Sequence, residues 1–201
     1  MTQHSQIKAD PMAIMRLLKD ENSNAPKGLP PVHKWNPEFC GDIDMHIKAN
    51  GQWLYMGTPI NRPALVKLFS SILRHDDDGC FYLITPVEKV RIVVEDAPFI
   101  VTLVSKVVDE GVEFLRFTTL TEDVIILDAE HPLWVNYHAP DGEPRPYLRV
   151  RDNLDALIHR NVFYQLVEWA TVQELDGQLC YAVQSAGQWF AIAPCSELST
   201  I

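Results

Sequence analysis

The sequence predicts an α+β protein built of two parts, and three observations support this fold class. Short stretches in which apolar and polar residues alternate, separated by turn residues, indicate strands over most of the 201 residues. Two other stretches place apolar residues three and four positions apart, as amphipathic helices do. The order of strand, helix and two strands occurs between Cys40 and Phe99 and again between Tyr147 and Ala193. This favours an internal duplication, each copy a curved antiparallel sheet with one helix, although two unrelated runs of this common order would look the same.

The composition divides the chain into an extension and two domains. Asp10-Pro11 is a good helix start, and the stretch from Glu21 to Gly28 is typical of a linker. Residues 1–28 are therefore predicted to be a helical extension with a linker. Residues 29–97 form the first α+β domain and residues 98–201 the second.

The first domain begins with an extended segment and a hairpin. Prolines keep Leu29–Pro37 out of the helical region. Asp42–Ile47 alternates strictly, with Ile43, Met45 and Ile47 on one face. Asn50-Gly51 is a strong signal for a two-residue hairpin turn, so Trp53–Met56 is predicted to be the partner strand.

A helix and two strands complete the first domain. Asn61 is a plausible N-cap, and the apolar stripe that starts at Leu65 runs to Leu73. Arg74-His75 are expected in the last turn, where cations complement the helix dipole. Two further strands are predicted at Cys80–Thr85 and Val90–Glu95.

The second domain is predicted to be mostly strands with one helix. Asp152-Asn153 is expected to cap a helix that starts at Leu154 and ends near Thr171. The predicted strands are Phe99–Val108, Val112–Thr119, Val124–Leu127, Leu133–Tyr137, Tyr147–Val150, Leu179–Gln184 and Trp189–Ala193.

Charge and hydropathy exclude several classes of partner. The formal net charge is −10, which opposes binding to polyanionic nucleic acid. No apolar run approaches the roughly 18 residues of a membrane span, and the N-terminus shows no secretion signal. The sequence thus predicts a cytoplasmic protein without nucleic acid, membrane span or cofactor.

Several strings in the first half are similar to one known family. They are Pro30-Pro31-Val32-His33-Lys34-Trp35-Asn36-Pro37, Cys40-Gly41-Asp42-Ile43-Asp44-Met45, Gly57-Thr58-Pro59-Ile60, Thr85-Pro86-Val87-Glu88-Lys89-Val90 and Val94-Glu95-Asp96-Ala97-Pro98-Phe99. From Pro30 onward the chain resembles the bacterial family called domain of unknown function 1285. The resemblance implies a duplicated two-part α+β protein whose second part is loosely pleckstrin-homology-like. It also implies a cleft between the parts for a nucleotide-like ligand and a signalling role, but no reaction and no established site residues.

The start of the first helix is one candidate anion site. Thr58, Asn61 and Arg62 bring a hydroxyl, an amide and a guanidinium to the backbone N–H groups of a helix N-terminus. The alternative is an ordinary capped helix with a surface arginine.

Charged residues around two strands supply further candidates for a ligand site between the domains. Arginines in such a cleft would pair with phosphates while a tryptophan stacks on a base. The alternatives are charges that protect strand edges and tryptophans that fill a core. The candidates are Glu88, Lys89, Arg91, Arg145, Arg149, Arg151, Trp35 and Trp53.

A metal site is a weaker prediction. Asp42, Asp44 and His46 share one strand face and carry ligand groups for a divalent ion, but the solvated face of a strand has the same pattern. The sequence contains no known catalytic motif. The anion-suited helix start and the duplicated layout favour a non-enzymatic protein that binds a small anionic, nucleotide-like ligand at the cleft between the two domains and has a signalling or regulatory role. The alternatives are a metal-assisted hydrolase or transferase using these three residues, and a protein–protein interaction module.

Overall fold

The computed structural model describes residues 28–137 and 143–194. The chain separates into two compact units, Met1–Asp96 and Ala97–Ile201. The helix predicted from Asp10 lies outside the described residues. Within the described residues, no helix has the length and apolar character needed to span a membrane.

The first unit contains one six-stranded sheet and one α-helix. The strands follow the order β3-β2-β1-β6-β5-β4 across the sheet. The elements are a 3-10 helix at Val32–Lys34, β1 Phe39–Ile47, β2 Trp53–Tyr55, β3 Thr58–Pro59, α1 Pro63–Ser71, β4 Leu73–His75, β5 Phe81–Ile84 and β6 Lys89–Val94.

This sheet is mixed, so the prediction of a purely antiparallel sheet was wrong. β1 and β6 pair in parallel, whereas the other neighbours pair antiparallel. The chain reaches one edge at β3, continues through α1 and re-enters at the opposite edge with β4. The meander β4-β5-β6 then returns to the centre, which brings β6 beside β1 in the same direction.

The alternation in β1 does place its apolar side chains in the core. Ile43, Met45 and Ile47 are buried. Trp53 on β2 is 2% exposed, and its ring stacks on that of Phe69 in α1 at 6.3 Å between centroids. The apolar face of α1 thus packs on the sheet through aromatic contact, which stabilises the unit.

The predicted limits of α1 were wrong at both ends. Its N-cap is Arg62 rather than Asn61, and the helix ends at Ser71. Leu73 is buried in β4, which pairs with β5, so Arg74 and His75 lie on a strand. Pairing with β5 provides the backbone partners that a longer helix would have provided internally.

The segment predicted to be extended before β1 includes a turn of 3-10 helix. The Trp35 N–H donates to the Val32 carbonyl at 3.2 Å. Val32 is 5% exposed. Burial of one valine side chain therefore outweighs the extended preference that the flanking prolines impose.

The second unit contains two sheets and one α-helix. The six-stranded sheet has the order β10-β11-β12-β7-β8-β9, and the three-stranded sheet has the order β13-β14-β15. The elements are β7 Phe99–Asp109, β8 Val112–Thr119, β9 Val124–Ile126, β10 Leu133–Asn136, β11 Arg145–Arg151, β12 Leu154–Ile158, α2 Arg160–Trp169, β13 Thr171–Leu175, β14 Gln178–Ser185 and β15 Gln188–Pro194. The six-stranded sheet is also mixed, since β12 pairs in parallel with β7.

The second helix starts later than predicted. Leu154–Ile158 is a strand in which alternate residues are buried, and His159 is the N-cap of α2. Asp152 has a φ of 46° and starts a tight turn between β11 and β12 rather than capping a helix. Leucine and isoleucine at 154, 157 and 158 fit a helical stripe and a strand equally well, and tertiary pairing decides between them.

Candidate functional site

Two of the predicted cations of the first unit, Lys89 and Arg91, share one face of its sheet with Arg74. Arg91 on β6 is opposite Tyr82, and Tyr82 is opposite Arg74. Lys89 is two residues before Arg91 and therefore lies on the same face. Arg91 donates to both oxygens of Asp42, at 2.7 and 2.8 Å. An anion would have to displace that carboxylate to bind Arg91.

Lys89 belongs to a second ion cluster, centred on Asp76. Asp76 accepts hydrogen bonds from Arg74 at 2.5 and 3.0 Å and from Lys89 at 2.6 Å. Arg74 also donates to the carbonyls of Val32 and Trp35, at 3.2 and 2.7 Å. Burial raises the pKa of Asp76, but the hydrogen bonds and charges of Arg74 and Lys89 outweigh it and leave the pKa below its ordinary value. This cluster ties the 3-10 segment to the sheet.

The other first-unit candidates are dispersed. Trp53 is in the core and Trp35 is half-buried. Thr58 is exposed on β3, whereas Asn61 and Arg62 are exposed at the start of α1. Pro63 is the first residue of α1 and has no backbone N–H to donate to an anion.

The remaining donors of that helix start are partly used. The N–H groups of Leu65 and Val66 donate to the Arg62 carbonyl, at 2.9 and 3.1 Å. The start of α1 therefore offers an anion few donors.

Glu88 lies away from that helix start, in the turn before β6, where its N–H donates to the Thr85 hydroxyl at 3.0 Å.

The three metal candidates do not form a common site. Asp42 pairs with Arg91, whereas Asp44 and His46 pair with each other at 3.1 Å. Across residues 28–137 and 143–194, no three His, Cys, Asp or Glu side chains gather closely enough to hold a metal ion.

The second unit brings arginines and aromatic rings together on one face of the six-stranded sheet. Arg145, Tyr147 and Arg149 follow each other at steps of two along β11, and Tyr147 is opposite Trp134 of β10. The rings of Trp134 and Tyr147 stack at 5.8 Å between centroids, with 21° between their planes. The Arg149 guanidinium carbon is 5.8 Å from the centroid of Trp134. We call Trp134, Arg145, Tyr147 and Arg149 the Arg–Trp face.

Arg149 is held in a defined orientation on this face. Its Nε donates to Asp155 on β12, and its Nη1 donates to the Asp152 carbonyl at 2.8 Å. In the part of the chain that the structure describes, these contacts leave its Nη2 amino group for another acceptor. A guanidinium that is already oriented loses little conformational entropy on binding an anion.

Arg151, the third predicted arginine of this strand, has a different role. The strand register shifts between Arg149 and Arg151, which places Arg151 opposite buried Leu154. Its guanidinium donates to Asp123 at 2.9 Å and lies 4.8 Å from the ring centroid of Phe99. Arg151 therefore stabilises the unit and is not part of the Arg–Trp face.

Trp134 and Tyr147 were missed in the sequence prediction. Tyr147 could have been found, because it lies between Arg145 and Arg149 at the alternation of a strand. Trp134 comes from another strand, and only the pairing of β10 with β11 places it there.

The fold and this face define a class: a two-domain α+β protein, rich in strands, with a basic and aromatic surface on its second domain. Its two domains match the models described as "Domain of unknown function (DUF1285), N-terminal domain" over residues 30–97 and "Protein of unknown function (DUF1285), C-terminal domain" over residues 98–192. The chain belongs to the DUF1285 family.

Two solved structures of DUF1285 family proteins are similar to this chain. The protein from Silicibacter pomeroyi DSS-3 is 43% identical, with a TM-score of 0.78, over 91% of this chain and 97% of that one. The protein from Shewanella baltica OS155 is 30% identical, with a TM-score of 0.51, over 63% of this chain and 91% of that one. No curated protein matches this sequence.

Proposed function

We propose that this protein is a non-enzymatic binding protein that takes a small anionic ligand, a nucleotide being the leading candidate, on its Arg–Trp face. The observation that carries the proposal is the Arg149 guanidinium, which is fixed beside Trp134 and whose Nη2 group makes no hydrogen bond to a described residue. The proposal narrows the predicted ligand residues to Arg145 and Arg149 and adds Trp134 and Tyr147.

The chemistry of this face suits both ends of a nucleotide. Guanidinium groups form short, charge-assisted hydrogen bonds with phosphate oxygens. Aromatic side chains provide flat surfaces on which bases stack, a contact that contributes about 1–3 kcal/mol per base. Arg145 and Arg149 are four strand positions apart, about 13 Å between Cα atoms, and Tyr147 lies between them. That spacing allows the phosphates at one arginine and the base on the rings.

Asp155 competes with an anion for Arg149 and so limits affinity. Its carboxylate accepts from Nε, and it therefore lies at the edge of the guanidinium that Nε shares with Nη2. The ligand phosphate therefore approaches a partly neutralised cation. We expect micromolar rather than nanomolar affinity and a marked weakening as salt is raised.

The test is a titration of the full chain with ATP, ADP and GMP, followed by tryptophan fluorescence and thermal unfolding. Arg149→Ala should weaken binding at least tenfold, because it removes the oriented cation. Arg116→Ala removes an exposed arginine from β8 of the same sheet and is the matched control, with Arg62→Ala as a control for the start of α1. Both controls should bind like the parent protein. Equal binding by Arg149→Ala and the parent, or no stabilisation by any of the three nucleotides, would contradict the proposal.

We further propose a duplicated origin and a pleckstrin-homology-like character for the second domain, with a cytoplasmic signalling role. The order of two strands, helix and three strands supports duplication, since β1, β2, α1, β4, β5 and β6 correspond to β11, β12, α2, β13, β14 and β15 once the two-residue β3 is set aside. The strand pairing differs between the two copies: β6 joins β1, whereas β13–β15 form a separate sheet.

The signalling role predicts a partner protein whose affinity for this chain changes when the ligand is bound.

A further inference from the structure

Strand β13 is an open sheet edge. Within the described residues it pairs only with β14, over Thr171–Leu175 and without a register shift. Val172 in its middle is 50% exposed. The strand has no lysine, proline or bulge, and Glu174 is its only charged side chain, so it carries few of the usual devices that keep a sheet edge from pairing with another chain.

The other described edges are shorter or covered. β3 has two residues and includes Pro59, while β4 and β9 have three residues each. β10 has four residues and packs against β15, the other edge of the three-stranded sheet. With five residues and Glu174 as its only charged side chain, β13 is the described edge best suited to accept an added strand, and that charge favours a basic one.

A small cavity opens beside the first residue of this edge. It has a volume of about 170 Å³ and is lined by Lys106, Glu113, Leu115, Trp169, Thr171, Val183, Gln184 and Trp189. This is below the roughly 300–1,000 Å³ of sites for drug-sized ligands. It suits a single side chain better than a whole nucleotide.

The cavity already contains a cation contact. Lys106 Nζ lies 3.0 Å from a Glu113 carboxylate oxygen and 5.1 Å from the ring centroid of Trp169. Trp189, also in the lining, is 36% exposed. Two tryptophans beside a carboxylate attract a positively charged group through both ring and ion-pair contacts.

The surroundings of the edge are acidic. Residues 161–194, which include most of α2 and the whole three-stranded sheet, contain Glu168, Glu174 and Asp176 but no lysine, arginine or histidine. All three carboxylates are exposed. A partner that approaches β13 therefore meets a negative surface, which favours a basic partner.

We propose that β13 is a docking edge for an extended basic peptide segment of a partner protein. The peptide adds a fourth strand to the three-stranded sheet, and one of its lysine or arginine side chains enters the cavity between Trp169, Trp189 and Glu113. The backbone provides affinity and the cavity selects the side chain. This site is independent of the ligand proposed for the Arg–Trp face.

Lys106 distinguishes a site for a cation from a site for an anion. In the free protein its ammonium group takes the place of the incoming cation and competes with it. Lys106→Met keeps the apolar stem and removes the charge, so it should tighten binding of a basic peptide several-fold. An anion site built on Lys106 would lose binding with the same substitution.

The backbone of β13 shows which substitution blocks the edge. The Cys180 thiol donates to the Gln173 carbonyl at 3.6 Å, so Gln173 turns its backbone groups toward β14. Because neighbouring residues alternate, Val172 turns its N–H to the open edge. Val172→Pro removes that donor without removing a bond to β14 and should weaken peptide binding at least tenfold with little change in thermal unfolding.

The experiment uses the full chain and a seven-residue peptide of alternating valine and lysine, with a valine and glutamate peptide of the same length as the comparison. Tryptophan fluorescence and calorimetry should show binding of the lysine peptide at least tenfold tighter than the glutamate peptide. Glu113→Gln should lower that preference, whereas Glu110→Gln, at the exposed tip of the same β7–β8 hairpin, should leave it unchanged. Equal binding of both peptides, weaker binding by Lys106→Met, or a dimer of this chain that Val172→Pro abolishes would overturn the proposal.

Discussion

Replacing Asp76 with alanine should lower the free energy of unfolding by about 3 kcal/mol. The Asp76 side chain is 19% exposed and is the common partner of Arg74 and Lys89. Without it, two partly buried cations lose their counter-ion, and Arg74 loses the contact that orients it toward the Val32 and Trp35 carbonyls. Urea unfolding of the full chain, followed by circular dichroism, measures the loss.

The pH dependence of stability provides a second test of Asp76. Its pKa in the folded protein is below the ordinary value of 3.8, so its contribution is present above pH 3.8 and is lost as the pH falls through the folded pKa. The parent protein should lose stability over that acidic range more steeply than Asp76→Ala. The matched control is Asp77→Ala at the exposed neighbouring position, which should unfold like the parent. If both variants unfold at the same urea concentration, Asp76 does not hold the cluster together.

Ser185→Ala should lower the free energy of unfolding by about 2–3 kcal/mol. Ser185 is fully buried at the end of β14. Its hydroxyl accepts a hydrogen bond from the Leu115 N–H at 2.9 Å and donates to the Leu127 carbonyl at 2.6 Å. The next residue, Ala186, donates its N–H to the Glu113 carbonyl at 3.0 Å. These bonds join the three-stranded sheet to β8, and alanine would leave two buried backbone groups without partners.

The control for Ser185 is the same substitution at Ser105, which is half-buried on β7. Chemical denaturation should place Ser105→Ala within about 0.5 kcal/mol of the parent protein. Amide hydrogen exchange should also accelerate at Leu115 in Ser185→Ala, since that N–H loses its acceptor. Unchanged protection of Leu115 would show that the serine hydroxyl does not join the sheets.

The elements that could be predicted from the sequence are those whose signal is local. Alternation predicts the buried face of β1, and Asn50-Gly51 predicts the turn to β2. The limits of the helices could not be predicted in the same way. Leu73 and Leu154 fit a helical stripe, yet each lies in a strand because a partner strand is present, at β5 and at β11. The parallel pairs β1–β6 and β7–β12 likewise depend on contacts between distant parts of the chain.

The candidate site likewise combines features with a local sequence signal and features that depend on contacts between distant residues. The alternation of Arg145 and Arg149 along a strand was visible in the sequence. Their separation from Arg151 follows from a register shift that no residue pattern indicates. Trp53, predicted to stack on a ligand, stacks instead on Phe69 in the core. Burial of a tryptophan is the commoner outcome because so much apolar surface leaves water.

The central claim is that a small anionic ligand binds the Arg–Trp face. NMR spectra of the side-chain N–H groups during a titration with ADP test it most directly. We predict progressive shifts of the Arg149 Nε–H and the Trp134 indole N–H signals, with Arg116 and Trp53 unchanged. Shifts confined to other residues, or no shift at millimolar ADP, would contradict the claim.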